Sequence, residues 1–245
     1  MSHFQHRDQL FNEPIDQIAD FAFDEKTAAV FPDMIKRSVP GYKTIIAMTG
    51  IIAERYATED SNCYDLGCSL GASTLAMRQQ ITSAGCQIFA IDNSAAMLDR
   101  CRLMLANSNH NTPIKLIEAD VLETKISNAS VVVLNFTLQF IAKEHREELI
   151  HEIYEGMNKG AILILSEKIC FEDPQLQKLN TELHHKFKHL NGYSKLEIAQ
   201  KRTSIENILI PESIIEHQAR LTSAGFTSSD VWFQCFNFAS LVAVK

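Results

Sequence analysis

Residues 64–71 read Tyr-Asp-Leu-Gly-Cys-Ser-Leu-Gly, between an apolar stretch that has the look of a strand and a run with helical spacing. A glycine turn at that junction lets the backbone approach a ligand with no Cβ in the way. Gly67 and Gly71 supply two such positions, and Ser69 stands where a dinucleotide-binding loop has its middle glycine. A serine there makes a pyrophosphate a poorer guest, whereas a nucleoside with an amino-acid tail tolerates it. Asp65, just before the turn, is placed to accept from an ammonium group directly or through water. Asp92 follows Gly71 by 21 residues at the end of the next strand-like run, where a carboxylate accepts from both ribose hydroxyls. Asp120 and Val121 end a third run and suit an adenine amine and ring face. Asn135 ends a fourth. Turn formation by the glycines and helix capping by Asp92 would explain single positions but not four in order at strand ends.

Working outward, strand-like runs at 63–66, 87–92, 114–120, 130–136 and 161–167 alternate with helix-like runs at 71–82, 94–106 and 143–156. The segment 156–160, with a glycine at each end, reads as the loop closing the last of these helices. Continuous apolar runs such as Val131-Val132-Val133-Leu134 are what parallel strands buried on both faces require. The order implies a doubly wound α/β sheet. A helix over 212–224 and two strands over 230–245 then end the chain in a hairpin, so at least one strand is antiparallel. That ending, the length of 245 residues and Ser69 favour S-adenosyl-L-methionine over a nicotinamide dinucleotide. Helix-like spacing over 27–39 and 42–57, broken at Pro40-Gly41, predicts an N-terminal helical cap over residues 1–60. A long segment over 172–210 predicts a helical insertion. Together they describe one domain, 1–245.

The formal net charge of −7 argues against a broad phosphate-binding face, so no direct tRNA binding is expected. No apolar run is long enough to span a bilayer and the first residues lack an apolar leader, so a cytoplasmic location is expected and no membrane association. The six cysteines form no paired metal motif, and His185 and His189, though spaced like a zinc pair, lack a third ligand. No metal is expected.

Several stretches together resemble the carboxy-S-adenosyl-L-methionine synthase family: 23–42 with its Val-Phe-Pro-Asp-Met-Ile-Lys-Arg-Ser-Val-Pro-Gly-Tyr end, 64–74, 90–94, 132–140, 165–168, 191–194, 200–202 and 232–238. The resemblance runs from Phe21 to the end of the chain. It implies a Rossmann-like class I methyltransferase fold, a mostly parallel seven-stranded sheet with an antiparallel C-terminal strand. It also implies conversion of S-adenosyl-L-methionine and prephenate to carboxy-S-adenosyl-L-methionine, phenylpyruvate and water. The product would serve a separate tRNA carboxymethyltransferase that makes 5-oxyacetyl-uridine at the wobble position, and a homodimer is implied. By the same resemblance Tyr42, Gly67, Cys68, Ser69, Asp92, Asn93, Asp120, Val121, Asn135 and Arg202 contact the nucleoside substrate.

The chemistry asks for a cationic partner, since the product gains a carboxylate and prephenate brings two. Arg202 and Tyr42 are the candidates to orient it, Tyr42 being presented by the Pro40-Gly41 turn. Between His184 and Arg202 the bases Lys186, Lys188, Lys195, Lys201 and Arg202 face one acid, Glu197. Taken singly, each lysine reads first as part of a solvated helix face. The histidines at 184, 185 and 189 read as prephenate contacts or plain surface. No side chain is assigned as general base. An ordinary S-adenosylmethionine-dependent methyltransferase and a silent ligand-carrying subunit remain the competing readings, because either would show the same loop.

Overall fold

The computed structural model describes residues 7–106 and 110–245. Residues 1–6, the start of the expected cap, lie outside the described residues. Helix α1 (Glu25–Ser38) starts where the Asp24 side chain accepts from the Thr27 amide at 2.9 Å and ends on Lys36 and Arg37, as the helix dipole favours. Helix α2 (Tyr42–Tyr56) follows a left-handed Gly41. Then come β1 (Asn62–Leu66), α3 (Ala72–Gln80), β2 (Gln87–Asp92), α4 (Ala95–Ala106), β3 (Ile114–Glu118), β4 (Ala129–Asn135), α5 (Lys143–Gly156) and β5 (Met157–Lys168). Helices α6 (Pro174–Leu190), α7 (Lys195–Ile205) and α8 (Ile214–Ala224) lead to the closing hairpin β6 (Ser228–Cys235) and β7 (Phe238–Val244).

Among the described residues these strands form a seven-stranded sheet in the order β3-β2-β1-β4-β5-β7-β6. The first five are parallel, and β7 runs antiparallel to both β5 and β6. Alternate side chains of the central strands feed two cores, one on each face. Leu66, Val132, Leu134, Leu163 and Leu165 pack with α5 and α8, while Cys63, Val131, Val133, Ile162 and Ile164 pack with α2 and α3. The doubly buried strands are what the unbroken apolar runs predict.

One boundary differs. Residues 157–160 belong to β5 rather than to a loop, because Met157 pairs with Ala129 before a register break carries the ladder on to Val131 and Ile162. The sheet order reverses between β1 and β4, and the ends of those strands open a crevice, the place where such sheets bind ligands.

The N-terminal segment and the α6–α7 pair close over that crevice. The Gln200 side chain donates to the carbonyls of Phe11 and Glu13 and accepts from the Ile15 amide, and the Phe21 amide donates to the Ser204 carbonyl. Arg37 of α1 donates to the Asn191 carbonyl and stacks 3.7 Å from the Tyr193 ring centroid. Among the described residues no helix is long and apolar enough to cross a membrane.

Candidate functional site

A cavity of about 750 Å³ opens along the C-terminal ends of β1, β2, β4 and β5 and runs beneath α1, α6 and α7. It is lined by all ten residues expected at the site: Tyr42, Gly67, Cys68, Ser69, Asp92 and Asn93, with Asp120, Val121, Asn135 and Arg202.

At one end the loop after β1 makes a tight bend. Gly67 has φ 78°, and a Cβ there would lie 2.3 Å from Thr137 Oγ1, so no larger residue fits. Ser69 also takes a left-handed φ of 50°, a position that normally favours glycine. Its amide donates to Asp92 Oδ2 at 2.8 Å, and the Ser94 amide donates to Oδ1 at 2.9 Å. Asp92 therefore ties the loop to the start of α4, and the second lone pair on each oxygen stays available to a diol. Burial holds its pKa above the ordinary carboxylate value. Asp120 caps the short turn 121–123 by accepting from the Leu122 amide at 2.9 Å, with Val121 buried beside it.

Asn135 is less free than its position suggests. Its amide donates to Thr49 Oγ1 and Ser73 Oγ, and its Oδ1 accepts from Ser166 Oγ at 2.6 Å. Both amide protons are spent, so its side chain fixes the shape of the wall and offers a ligand at most one lone pair. Asp65 departs from expectation. It is 1% exposed, does not line the cavity, and accepts from Thr74 Oγ1 at 2.5 Å, with a pKa pushed up by burial to about 6. It anchors α3 to β1 from behind the cavity wall. The Cys68 thiol is driven up by the neighbouring Cys101 thiol and by burial, so it is not a thiolate nucleophile.

Tyr42 opens α2 with its ring 6.2 Å from that of Phe136. Burial, then the nearby Asp65 carboxylate, raises its pKa, which keeps the phenol a hydrogen-bond donor. Arg202 sits at the rim, 65% exposed, with Nε 3.5 Å from Glu206.

The other end is cationic, and of its four cations the sequence singles out Lys188, Lys201 and Arg202 as a local basic excess but not Lys168. Lys168 ends β5, Lys188 and Lys201 come from α6 and α7, and all three line the cavity. Lys188 is only 7% exposed, and Lys201 Nζ sits 3.4 Å from the Phe21 ring centroid. The reading of these two as solvated surface lysines is thus corrected: helices α6 and α7 turn those faces inward. Lys186 and Lys195 are not among the lining residues. His184 gives a ring nitrogen to the Ser38 carbonyl at 2.8 Å, and burial lowers its pKa to about 3, so it stays neutral. His189 bonds the Tyr193 carbonyl instead, so the three histidines do not converge. Among the described residues no three His, Cys, Asp or Glu side chains gather as a metal site.

A family described as Methyltransferase domain matches residues 64–160. The chain is 59% identical over 239 residues to a carboxy-S-adenosyl-L-methionine synthase of Trichlorobacter lovleyi, covering 97% of this chain and 98% of that one. It is 56% identical over 238 residues to the protein of that name from Aliivibrio fischeri, with the same coverage. Among solved structures, a putative S-adenosylmethionine-dependent methyltransferase of Methanococcus maripaludis matches with TM-score 0.58 and 19% identity over 95% of this chain and 97% of that one. Human N-acetylserotonin methyltransferase in complex with S-adenosylmethionine matches with TM-score 0.60 and 15% identity over 90% of this chain and 55% of that one. The structural matches establish the class I methyltransferase fold.

Proposed function

The chain belongs to the carboxy-S-adenosyl-L-methionine synthase family, and from that premise we propose how its cavity carries out the family's reaction. It is a transferase that converts S-adenosyl-L-methionine and prephenate to carboxy-S-adenosyl-L-methionine and phenylpyruvate. The balance is simple. Prephenate loses carbon dioxide and its ring hydroxyl, the hydroxyl leaves as water with a proton from the sulfonium methyl, and that carbon bonds to carbon dioxide.

The observation that carries this reading is the polarity of the cavity, acidic at one end and cationic at the other. Asp92 takes the ribose diol, Asp120 and Val121 the adenine, and the backbone of Gly67, Cys68 and Ser69 lies against the amino-acid tail. Asn93 closes the edge and Asn135 shapes the wall. Tyr42 and Arg202 orient the new carboxylate. The acids lining the cavity among the described residues are Asp92, Asp120 and Glu206, the last paired with Arg202. None is left over as a base, which supports the departing hydroxide as the acceptor of the methyl proton. The protein then acts by holding the partners together and excluding water.

In the same reading residues 1–60 are a helical cap and 172–210 a helical insertion on one domain spanning 1–245. The protein works in the cytoplasm and hands its product to a separate tRNA carboxymethyltransferase without binding tRNA itself. An exposed stripe of Leu176, Leu179, Leu183 and Leu190 on α6 supports a homodimer. The test is to incubate the protein with S-adenosyl-L-methionine, with and without prephenate, and weigh the nucleoside. A gain of one carboxyl group only with prephenate is expected. No change in either tube overturns the reading, and S-adenosylhomocysteine with a methylated acceptor points to an ordinary methyltransferase.

A further inference from the structure

Lys168, Lys188, Lys201 and Arg202 gather round one end of the cavity from three elements. Arg202 has Glu206 as partner. Among the described residues no carboxylate oxygen comes within ion-pair distance of the three lysine ammonium groups. The near neighbours of Lys201 Nζ are soft, Met34 Sδ at 3.0 Å and the Phe21 ring, with the Asp8 carboxylate acting from beyond ion-pair distance, and Lys188 Nζ lies 5.4 Å from the Tyr193 ring centroid. On the same lining Asn237 Oδ1 is buried without any partner, and the buried Ser38 Oγ makes no well-formed hydrogen bond, with the Tyr193 hydroxyl as its polar neighbour. A buried ammonium without a counter-ion is costly, and three together repel one another. A fold keeps such a cluster where an anion arrives to complete it.

We propose that Lys168, Lys188 and Lys201, together with Ser38 and Asn237, bind the two carboxylates and the hydroxyl of prephenate, apart from Arg202, which serves the carboxylate being built on the nucleoside. The inference rests on the reaction assigned above. The donors and acceptors match: three ammonium groups and the Ser38 hydroxyl face four carboxylate oxygens, and Asn237 Oδ1 faces the one hydroxyl.

The cluster has a consequence for protons. Burial, with Lys168 and Arg37 adding to it and Asp8 and Glu197 opposing, brings Lys188 down to about 8. Burial, with Lys188 adding and Asp8 opposing, brings Lys201 to about 7. Burial and Arg202 lower Lys168, and His184 and His185 are lowered by burial and by the same lysines. A lysine whose pKa is depressed is mostly neutral above that value, so arrival of an anion draws a proton back onto it.

The test uses Lys188→Met and Lys201→Met, which keep the stem and remove the charge. Each should raise KM for prephenate by about tenfold or more, the loss of one charge-assisted contact, and leave Kd for S-adenosyl-L-methionine within about twofold. Each should also leave the melting temperature equal to or above that of the natural protein, since an unpaired buried charge has gone. A lysine with a purely structural role gives the opposite pattern, a lower melting temperature with KM unchanged, and that result overturns the proposal. So does a loss of S-adenosyl-L-methionine affinity in step with KM. The natural protein provides a second arm that needs no variant. Prephenate is titrated calorimetrically into its S-adenosylhomocysteine complex, in buffers of different ionisation enthalpy. About one proton should be taken up at pH 8 and fewer at pH 6.5; no uptake at pH 8 overturns the proposal. Failure of the reaction itself is seen separately, as absence of carboxylated product from the natural protein.

Discussion

The two ends of the cavity are built by different rules. At the end proposed for the nucleoside each assigned group sits at or just past the end of a strand: Gly67 after β1, Asp92 on β2, Asp120 after β3, Asn135 on β4. Their spacing along the chain is their spacing in space. At the cationic end Ser38 closes α1, Lys168 ends β5, Lys188 and Lys201 come from two successive helices, and Asn237 sits in the β6–β7 turn. Only the tertiary fold brings them together. The first end is a property of the sheet; the second is a property of what was laid over it.

The largest expected effect breaks both ends at once. Arg146, 0% exposed, pairs with Glu212 at 2.6 Å and donates to the carbonyls of Ile141, Gln139 and Ile210. It joins the turn after β4 to the chain returning from α7. Arg146→Ala leaves Glu212 buried and short of a partner, and should cost about 3–5 kcal/mol in urea denaturation. Gly67→Ala separates the ends. Its strained φ and the contact with Thr137 should weaken S-adenosyl-L-methionine binding by about tenfold to 100-fold, measured by calorimetry, with KM for prephenate little changed.

Those contrasts explain what the sequence could reveal. The Asp92 spacing, the strand runs and the closing hairpin are local patterns, so the sheet and the residues that line its rim are legible in the sequence. Lys188 and Lys201 stood out only as a local excess of charge, because helical periodicity does not say which face a helix turns inward. The inward face of α7 is set by contacts far away in sequence, such as Gln200 with Ile15, 185 residues apart. Lys168 lies one residue past the strand read over 161–167 and within the stretch 165–168 that carries the resemblance, where nothing local marks it as a ligand group. Asp65 differs in the other way: its place before the loop suggests a contact with a ligand, whereas its carboxylate lies behind the wall, bonded to a hydroxyl nine residues on.

Smaller effects refine the comparison. Arg202→Ala, at the exposed rim, should weaken the carboxylated nucleoside about tenfold and S-adenosyl-L-methionine hardly at all in equilibrium binding; equal losses would remove Arg202 from its assigned role. The smallest concerns Glu167, which underlies the turn after β4 by accepting from the Leu138 and Gln139 amides. Burial pushes its pKa up to about 8. The folded protein thus holds a proton that an unfolded glutamate has released. The stability it contributes is full below about pH 4.5 and declines as pH rises to about 8. Glu167→Gln should flatten that part of the decline, seen as a narrowing difference between the two proteins in denaturation curves from pH 5 to pH 8.

The central claim is that the cationic end passes a carboxyl group from prephenate to the nucleoside held at the other end without letting it escape. Prephenate labelled with carbon-13 in its ring carboxylate tests this directly, with unlabelled bicarbonate in excess. The account predicts carboxy-S-adenosyl-L-methionine carrying the label undiluted, whatever the bicarbonate concentration. Unlabelled product, or label that falls as bicarbonate rises, would contradict it.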